Sequence, residues 1–346
     1  MKIVICGGGG LGHTCSAMLS TKKGVTVNLL TSHPDSWNHE FIVNTPDGGK
    51  ITGHIDRISS FPKDLITDAN IVLLCLPAFL IEETIIKIKP YLRNNTILGS
   101  VFGSTGFFLF AHDHLPSLTK LFAFQRVPYI SRVVEYGKIA NLHGYRDKLI
   151  MATENIEEKE DFRLLIEDLF NEPVELCESF YEVTLSNSNP ILHTGRLYSM
   201  WHDWDGTPFP ECSLFYHDWT DEASQLDIEM DNEFFRLLMA LNVKTTHIET
   251  LLDHYESVDA ATMTAKLQNI LSLSTILSPM KQLENGWVPD INSRYFTEDF
   301  PYGLSFIYNL AKEHHVDCPH IKKVYKWGMD MIKSYNNNKF KKYETN

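Results

Sequence analysis

The chain has 346 residues, enough for about two domains of roughly 150 residues and long enough to bury about 75% of its unfolded surface without disulfide or metal staples. Apolar residues make up 43% and charged residues 22%, as in an ordinary soluble globular protein. Thirty-one basic against 44 acidic side chains leave a net charge of −13. That excludes a nucleic-acid or anionic-membrane surface but not a local cationic pocket for a small anion. The six cysteines are too sparse for a disulfide scaffold, and Cys6 and Cys75 lie in apolar runs as small hydrophobes, which suits a reducing cytoplasm. No window approaches about 18 apolar residues, so no membrane span is expected, and a strand opens the chain where a leader peptide would stand.

In chain order, Lys2–Cys6 is strand-like and stops at Gly7; Leu11–Lys22 has helical character, and Val25–Leu30 forms the next strand. Ile71–Leu76 is a continuous apolar run ended by Pro77, as expected for a strand covered on both faces. Helical spacing over Ile81–Leu92 and a strand at Thr96–Val101 continue the alternation, which implies βαβ units on a parallel sheet. Between Leu121 and Thr153, β-rich segments split by Gly137 and His143-Gly144 are expected to complete that sheet. An amphipathic helix over Glu157–Phe170 and a short strand, Val174–Cys177, follow. Beyond about residue 183 the pattern is helical: Leu226, Met230, Phe234, Leu237, Leu238 and Leu241 share a face, as do Leu304, Ile307, Tyr308 and Ala311, and then Ile321, Val324 and Tyr325. The expected architecture is α/β: a doubly wound Rossmann domain over 1–183, then an all-helical domain over 184–346. The Asn/Lys-rich tail from Asn336 is expected to fray.

Gly7-Gly8-Gly9-Gly10-Leu11-Gly12 contains G-x-G-x-x-G at Gly7, Gly9 and Gly12, directly after a strand and opening a helix. The first glycine permits a tight turn, the second close approach of backbone N–H groups to a pyrophosphate, and the third close helix–strand packing. The helix N-terminus then faces the diphosphate, and Gly10 and Leu11 join Gly7, Gly9 and Gly12 in the expected cofactor set. An NAD-binding strand usually ends in a carboxylate that holds the ribose 2′-OH, about 20 residues on. Here the second strand ends Leu30-Thr31-Ser32-His33-Pro34, with no acid before Asp35. Thr31 and Ser32 are hydrogen-bond donors suited to a 2′-phosphate, so the cofactor expected is NADP in preference to NAD. Pro77 completes the expected cofactor set.

Hydride chemistry also needs a proton carrier, a group to orient it and a cation for a carboxylate substrate. Two segments offer these: Ser186–Gly195, containing His193, and Asn292–Gly303, containing Arg294 and Asp299. On the residues alone, each has an ordinary explanation. His193 is one of fifteen histidines, Arg294 suits a surface salt bridge, and Asp299 before Phe300-Pro301 suits a helix N-cap. His112-Asp113-His114 and the group His314, His315, Cys318 and His320 lack zinc-site spacing and are expected to be solvated loop residues without metal. Trp201–Gly206 is an aromatic and acidic loop of open role.

Together, the glycine run, Asn189-Pro190-x-x-His193 and Arg294-Tyr295-Phe296-x-Glu298-Asp299-x-Pro301-Tyr302-Gly303-Leu304 resemble the octopine/nopaline (opine) dehydrogenase family, and the resemblance extends through Phe215-Tyr216 and Asp231-Asn232-Glu233. It implies a Rossmann domain followed by a helical domain, and NAD(P)H-dependent reductive condensation of an amino acid or related amine with an α-keto acid such as pyruvate. It also implies that His193 is the acid/base, that Asp299 orients the imidazole, and that Arg294 grips the amino acid's carboxylate, with Asn189 among the substrate-binding residues. Gln125 and Arg126 are candidates for the keto acid's carboxylate. Alternatives are a 2-keto-acid reductase of the ketopantoate-reductase type, which relies on a helical-domain lysine, and a non-catalytic NADPH-binding sensor. The partners expected are small molecules; a homodimer fits this plan, although no motif specifies one.

Overall fold

The computed structural model describes residues 1–336; the remainder of the tail lies outside the described residues. The chain divides into two compact units, Met1–Ser186 and a second that begins at Asn187.

In the first unit, β1 (Lys2–Cys6), α1 (Gly10–Ser20), β2 (Thr26–Leu30), β3 (Glu40–Asn44), β4 (Lys50–His54), β5 (Arg57–Ser59), α2 (Pro62–Ile66), β6 (Ile71–Leu74), α3 (Ala78–Ile88), β7 (Ile97–Ser100), α4 (Phe107–His114) and β8 (Lys120–Phe124) follow in order. β9 (Tyr129–Glu135), β10 (Ile139–Tyr145), β11 (Leu149–Glu154), α5 (Lys159–Phe170), β12 (Val174–Leu176) and α6 (Phe180–Thr184) complete it. The main sheet runs β12-β11-β8-β7-β6-β1-β2-β5 among the described residues. It is parallel except where β11 runs antiparallel to β8. Strand periodicity sorts the core onto two faces. Ile3, Ile5, Leu29 and Leu73 pack with Cys15 and Leu19 of α1 on one side, and Val4, Cys6, Val72 and Leu74 with Ile81 and Ile85 of α3 on the other. Cys6 and Cys75 are buried free thiols, and burial pushes the Cys6 thiol up to about 12.

The expectation that residues 121–153 complete this sheet holds for β8 and β11 only. β9 and β10 form a second sheet with β3 and β4, ordered β4-β3-β10-β9. β10 pairs in parallel with β3, Ile139 opposite Ile42, a pairing between segments distant in sequence. The β9–β10 turn needs Gly137: its φ is +73°, and a Cβ there would lie 2.1 Å from the Ser36 carbonyl oxygen. The turn is pinned by His13 of α1, which is fully buried. His13 Nε2 accepts the Gly137 N–H at 2.9 Å, so Nδ1 carries the proton and donates to the Gly9 carbonyl at 2.9 Å. The ring lies 4.0 Å from that of Trp37.

The second unit contains α7 (Asn189–Trp201), α8 (Asp221–Ala240), α9 (Leu251–His254), α10 (Ala260–Gln268), the hairpin β13 (Met280–Leu283) and β14 (Gly286–Pro289), a π-helical segment (Tyr295–Leu304), α11 (Ser305–Glu313) and α12 (Pro319–Asn336). Among the described residues it is helical apart from that hairpin, so the expected all-helical domain is corrected at β13 and β14, which pair antiparallel from Met280 opposite Pro289 to Leu283 opposite Gly286. The Asp231-x-Glu233 pair on α8 satisfies orphan N–H groups at two other helix starts. Asp231 accepts the Leu251 N–H at 2.9 Å, and Glu233 accepts those of His320 at 3.0 Å and Ile321 at 2.9 Å. Burial pushes Asp231 up to about 6. α7 and α8 meet at Gly195, where a Cβ would stand 1.8 Å from Asp227 Oδ1. Trp201, at the end of α7, is buried and stacks on Phe296, so it belongs to the core of this unit. Among the described residues, no helix is long and apolar enough to cross a membrane.

Burial is the main cause that lowers the His13 pKa from 6.5. The unfolded chain therefore takes up a proton that the folded chain resists, and stability is lost as pH falls through the unfolded value. His13→Leu is expected to lower Tm at pH 7.5, because the Gly137 N–H loses its acceptor at a cost of about 1–3 kcal/mol. It is also expected to shrink the fall in Tm between pH 7.5 and 5.5, as measured by calorimetry; an unchanged fall would contradict the role given to His13.

Candidate active site

The glycine run connects β1 to α1. Gly7 has φ +114°, donates its N–H to the Leu30 carbonyl at 3.0 Å, and is pressed so closely on β6 that a Cβ would lie 2.6 Å from the Cys75 carbonyl oxygen. Gly12 faces back onto the loop, where a Cβ would lie 1.9 Å from the Gly7 carbonyl oxygen. Gly10 is backed by the Ser131 carbonyl oxygen, 2.7 Å from the place of its Cβ. Gly9 differs: it precedes the first turn of α1 with φ −76°, and a Cβ there meets nothing within 4 Å. Open space therefore lies where a helix N-terminus and its N–H groups attract an anion.

That space belongs to a cavity of about 500 Å³ lined by Gly7, Gly8, Gly9, Thr31, Ser32, Ser60, Pro77, Lys87 and Tyr136, among others. Of the residues expected at the cofactor, Gly10, Leu11 and Gly12 do not line it. They form the first turn of α1, and Leu11 packs against the sheet core. Thr31 is buried, and its hydroxyl shares a 2.9 Å hydrogen bond with that of Tyr136. Ser32 is exposed at the rim, and Pro77 stands just before the first turn of α3. Tyr136 was not foreseen. It arrives from the β9–β10 turn, a long-range placement without local signal, and its hydroxyl would lie 2.2 Å from a Cβ on Gly8. The shape and the Gly9 opening fit a dinucleotide diphosphate. Gln125, buried at the end of β8, donates its backbone N–H to Ile150 at 2.8 Å. Arg126 donates from Nη2 to the Ser186 carbonyl at 3.0 Å. Burial, then Arg146, lowers the Arg126 pKa.

In the helical unit, α7 begins at the exposed Asn189 and carries His193 one turn on. Asp299 does not cap a helix N-terminus. It lies inside the π-helical segment, which continues through Pro301 and kinks at Tyr302. This placement aims its carboxylate at α7: Asp299 Oδ2 lies 2.8 Å from His193 Nδ1, with side-chain exposures of 16% and 12%, so the pair is shielded from bulk water. His193 Nε2 meets the Tyr216 hydroxyl at 3.0 Å. The imidazole is walled by Tyr295 and Phe215, at ring separations of 4.8 and 5.7 Å. Arg294, just before the segment, is exposed and donates to Glu298 at 2.7 Å. Glu298 first, then Asp299, favours its charged form. The structure thus joins His193 to Asp299, places Arg294 just before the segment that carries Asp299, and adds Tyr216, which a loop position and the Phe215-Tyr216 pair alone did not mark.

Members of both histidine groups considered for metal pair with carboxylates. His112 and His114 stand on α4, not in a loop, and turn to different partners: Glu154 at 2.6 Å and Glu82 at 2.8 Å. The Glu154 hydrogen bond raises the His112 pKa. His320 lies between Glu229 at 2.9 Å and Glu233 at 2.8 Å.

Two family profiles match the chain: NAD/NADP octopine/nopaline dehydrogenase, alpha-helical domain, over residues 176–332, and ketopantoate reductase PanE/ApbA over residues 3–101. Among curated proteins, the chain is similar to octopine dehydrogenase from Mizuhopecten yessoensis, at 26% identity over 96% of this chain and 90% of the relative. It is also similar to opine dehydrogenase from Haliotis discus hannai, at 24% identity over 94% and 89%. Its fold is similar to that of octopine dehydrogenase solved with NADH and L-arginine, with a TM-score of 0.86 at 23% identity over 96% of this chain and 90% of that one. It is also similar to yersinopine dehydrogenase solved with NADP+, with a TM-score of 0.72 at 10% identity over 99% and 93%.

The glycines make separable demands. Gly9→Val has room for its side chain, so the ligand-free Tm is expected to stay near that of the parent, while NAD(P)H affinity in a fluorescence titration falls by roughly tenfold or more as the diphosphate approach is filled. Gly12→Val is expected to lower the ligand-free Tm sharply. Unimpaired binding by Gly9→Val would place the dinucleotide elsewhere.

Proposed function

We propose, from its similarity to the octopine/nopaline (opine) dehydrogenase family over residues 176–332 and to opine dehydrogenases along nearly its whole length, that this chain joins the amino group of an amino acid or related amine to an α-keto acid such as pyruvate, with NAD(P)H as reductant. The observation that carries this reading is the shielded His193–Asp299 pair, with Nδ1 held at 2.8 Å and Nε2 left as the nitrogen that exchanges protons. When bound, the nicotinamide supplies the hydride. The chain's own groups handle protons and hold the substrates. The amine arrives as an ammonium ion and must lose a proton before it attacks the keto carbon; the carbinol hydroxyl must gain one before it leaves as water. His193 takes and returns that proton, and Asp299 fixes the tautomer and stabilises the imidazolium between the two events. Arg294 offers a planar fork to the amino acid's carboxylate, in exchange with Glu298. Asn189, Gln125 and Arg126 are assigned to the substrates, the last two to the keto acid's carboxylate. The ketopantoate-reductase profile covers only residues 3–101 and none of the helical segment that bears His193 and Asp299.

For the cofactor we favour NADP. The end of β2 carries no carboxylate to repel a 2′-phosphate, and Ser32 and Ser60 stand at the same cavity, as does Lys87, which is ion-paired there with Glu83. The six unbridged cysteines suit a cytoplasmic setting.

The test is NADPH oxidation with pyruvate, 2-oxoglutarate or oxaloacetate, each with and without added amino acids. Oxidation is expected to require the amine and to give a secondary-amine product by mass; equal oxidation without amine would instead favour a simple keto-acid reductase. Arg294→Ala is expected to raise the amino-acid KM about tenfold or more with a smaller change in kcat. kcat/KM is expected to be higher for NADPH than for NADH, and the reverse order would remove the NADP assignment.

A further inference from the structure

His193 has two ring nitrogens, and both are engaged. Nδ1 faces Asp299, which leaves Nε2 as the route by which a proton enters or leaves the imidazole. Nε2 stands 3.0 Å from the Tyr216 hydroxyl.

That contact is built into the fold. Tyr216 lies between α7 and α8 and is 7% exposed. Its ring stacks on that of Trp219 at 5.8 Å and 14°. The strand of chain around it is tied to α7 by Arg196, one turn beyond His193. Arg196 donates from Nε to the Phe215 carbonyl at 3.3 Å and from Nη2 to that of Asp218 at 2.6 Å. Its guanidinium lies 5.3 Å from the Trp219 ring centroid. One helix therefore sets both the imidazole and the phenol that meets it.

We propose that the Tyr216 hydroxyl is a proton relay between His193 Nε2 and the substrate atoms, in the condensation reaction proposed above. When the ammonium is deprotonated, its N–H proton passes to the Tyr216 oxygen as the phenol proton passes to Nε2, leaving a neutral amine and an imidazolium held by Asp299. After attack on the keto carbon, the same hydroxyl gives its proton to the alkoxide and takes one from the adduct nitrogen, forming the carbinolamine. In the dehydration step, the phenol proton goes to the leaving hydroxyl and the Nε2 proton replaces it. The C–O bond breaks, the nitrogen lone pair forms C=N, and water and an iminium result with His193 neutral again. Each transfer leaves Tyr216 as a phenol, so no phenolate accumulates. Burial first, then Tyr295, Tyr255 and Asp299, push the Tyr216 pKa above its ordinary value, which is the condition a relay of this kind needs.

The test is Tyr216→Phe, which keeps the ring and its stacking and removes only the hydroxyl. With pyruvate crossed with L-amino acids, kcat is expected to fall on the order of 10²-fold, with KM values within about threefold of the parent and a changed solvent deuterium isotope effect on kcat. The ligand-free Tm serves as the folding control. The His193 Nε2 resonance in the 15N spectrum of the ligand-free protein is expected to move as its hydroxyl partner is lost. Parent-like kcat and isotope effect, or an unmoved Nε2 resonance, would overturn the relay. Failure of the underlying reaction assignment looks different: the parent enzyme itself then shows no amine-dependent oxidation, and the Nε2 resonance alone decides whether the contact exists.

Discussion

The helical unit is organised around a single hydrogen bond, from His193 to Asp299, whose two partners stand 106 residues apart in sequence. An imidazole and a carboxylate at this degree of burial are tolerable together and costly apart, because an unpaired buried charge loses its hydration without compensation. Their pairing depends on how α7 seats against the π-helical segment. At that seam Pro190 meets Gly303, where a Cβ would lie 2.5 Å from the Pro190 Cγ. Phe300 in turn fills the space left by Gly328 of α12, where a Cβ would lie 2.0 Å from its ring. These two segments therefore mix two kinds of residue: His193, Arg294 and Asp299 are the ones to which we assign the chemistry, while Pro190, Phe300 and Gly303 form the packed seam between them.

The nucleotide unit solves a different problem, that of leaving room. Gly7, Gly10 and Gly12 are each closed off by neighbouring backbone, and Gly9 stays open. The second sheet supports this arrangement from one side. Gly137 is fixed by His13, and the adjacent Tyr136 brings its hydroxyl to Thr31. A bulk charge of −13 is no obstacle to binding an anion there, because the field is local: a helix N-terminus and the few polar groups around it.

Much of the parallel sheet was legible in the sequence, because strands buried on both faces leave unbroken apolar runs such as Ile71–Leu74. β3 and β4 left no such mark. They are half-exposed, and their place is set by pairing between β10 and β3, which no local pattern encodes. The same limit applied to the candidate site. His193 and Asp299 were singled out through motif resemblance, but the helical geometry that turns Asp299 inward was not, since Asp before Phe-Pro has the local chemistry of a cap. Tyr216 was given no role and Tyr136 was not singled out, because an aromatic in a loop or turn reads as packing until a distant partner gives its hydroxyl a purpose. His112 and His114, expected in a solvated loop, stand instead on α4, each turned to its own carboxylate, Glu154 and Glu82.

The central claim is that Asp299 contributes to catalysis through His193. A double-mutant cycle on kcat measures this directly, with His193→Ala, Asp299→Asn and the pair assayed on the same amine and keto acid. The expected result is strong non-additivity: either single substitution lowers kcat on the order of 10²-fold or more, and adding Asp299→Asn to His193→Ala costs little further. Losses that multiply would contradict it, by showing that the carboxylate and the imidazole act independently.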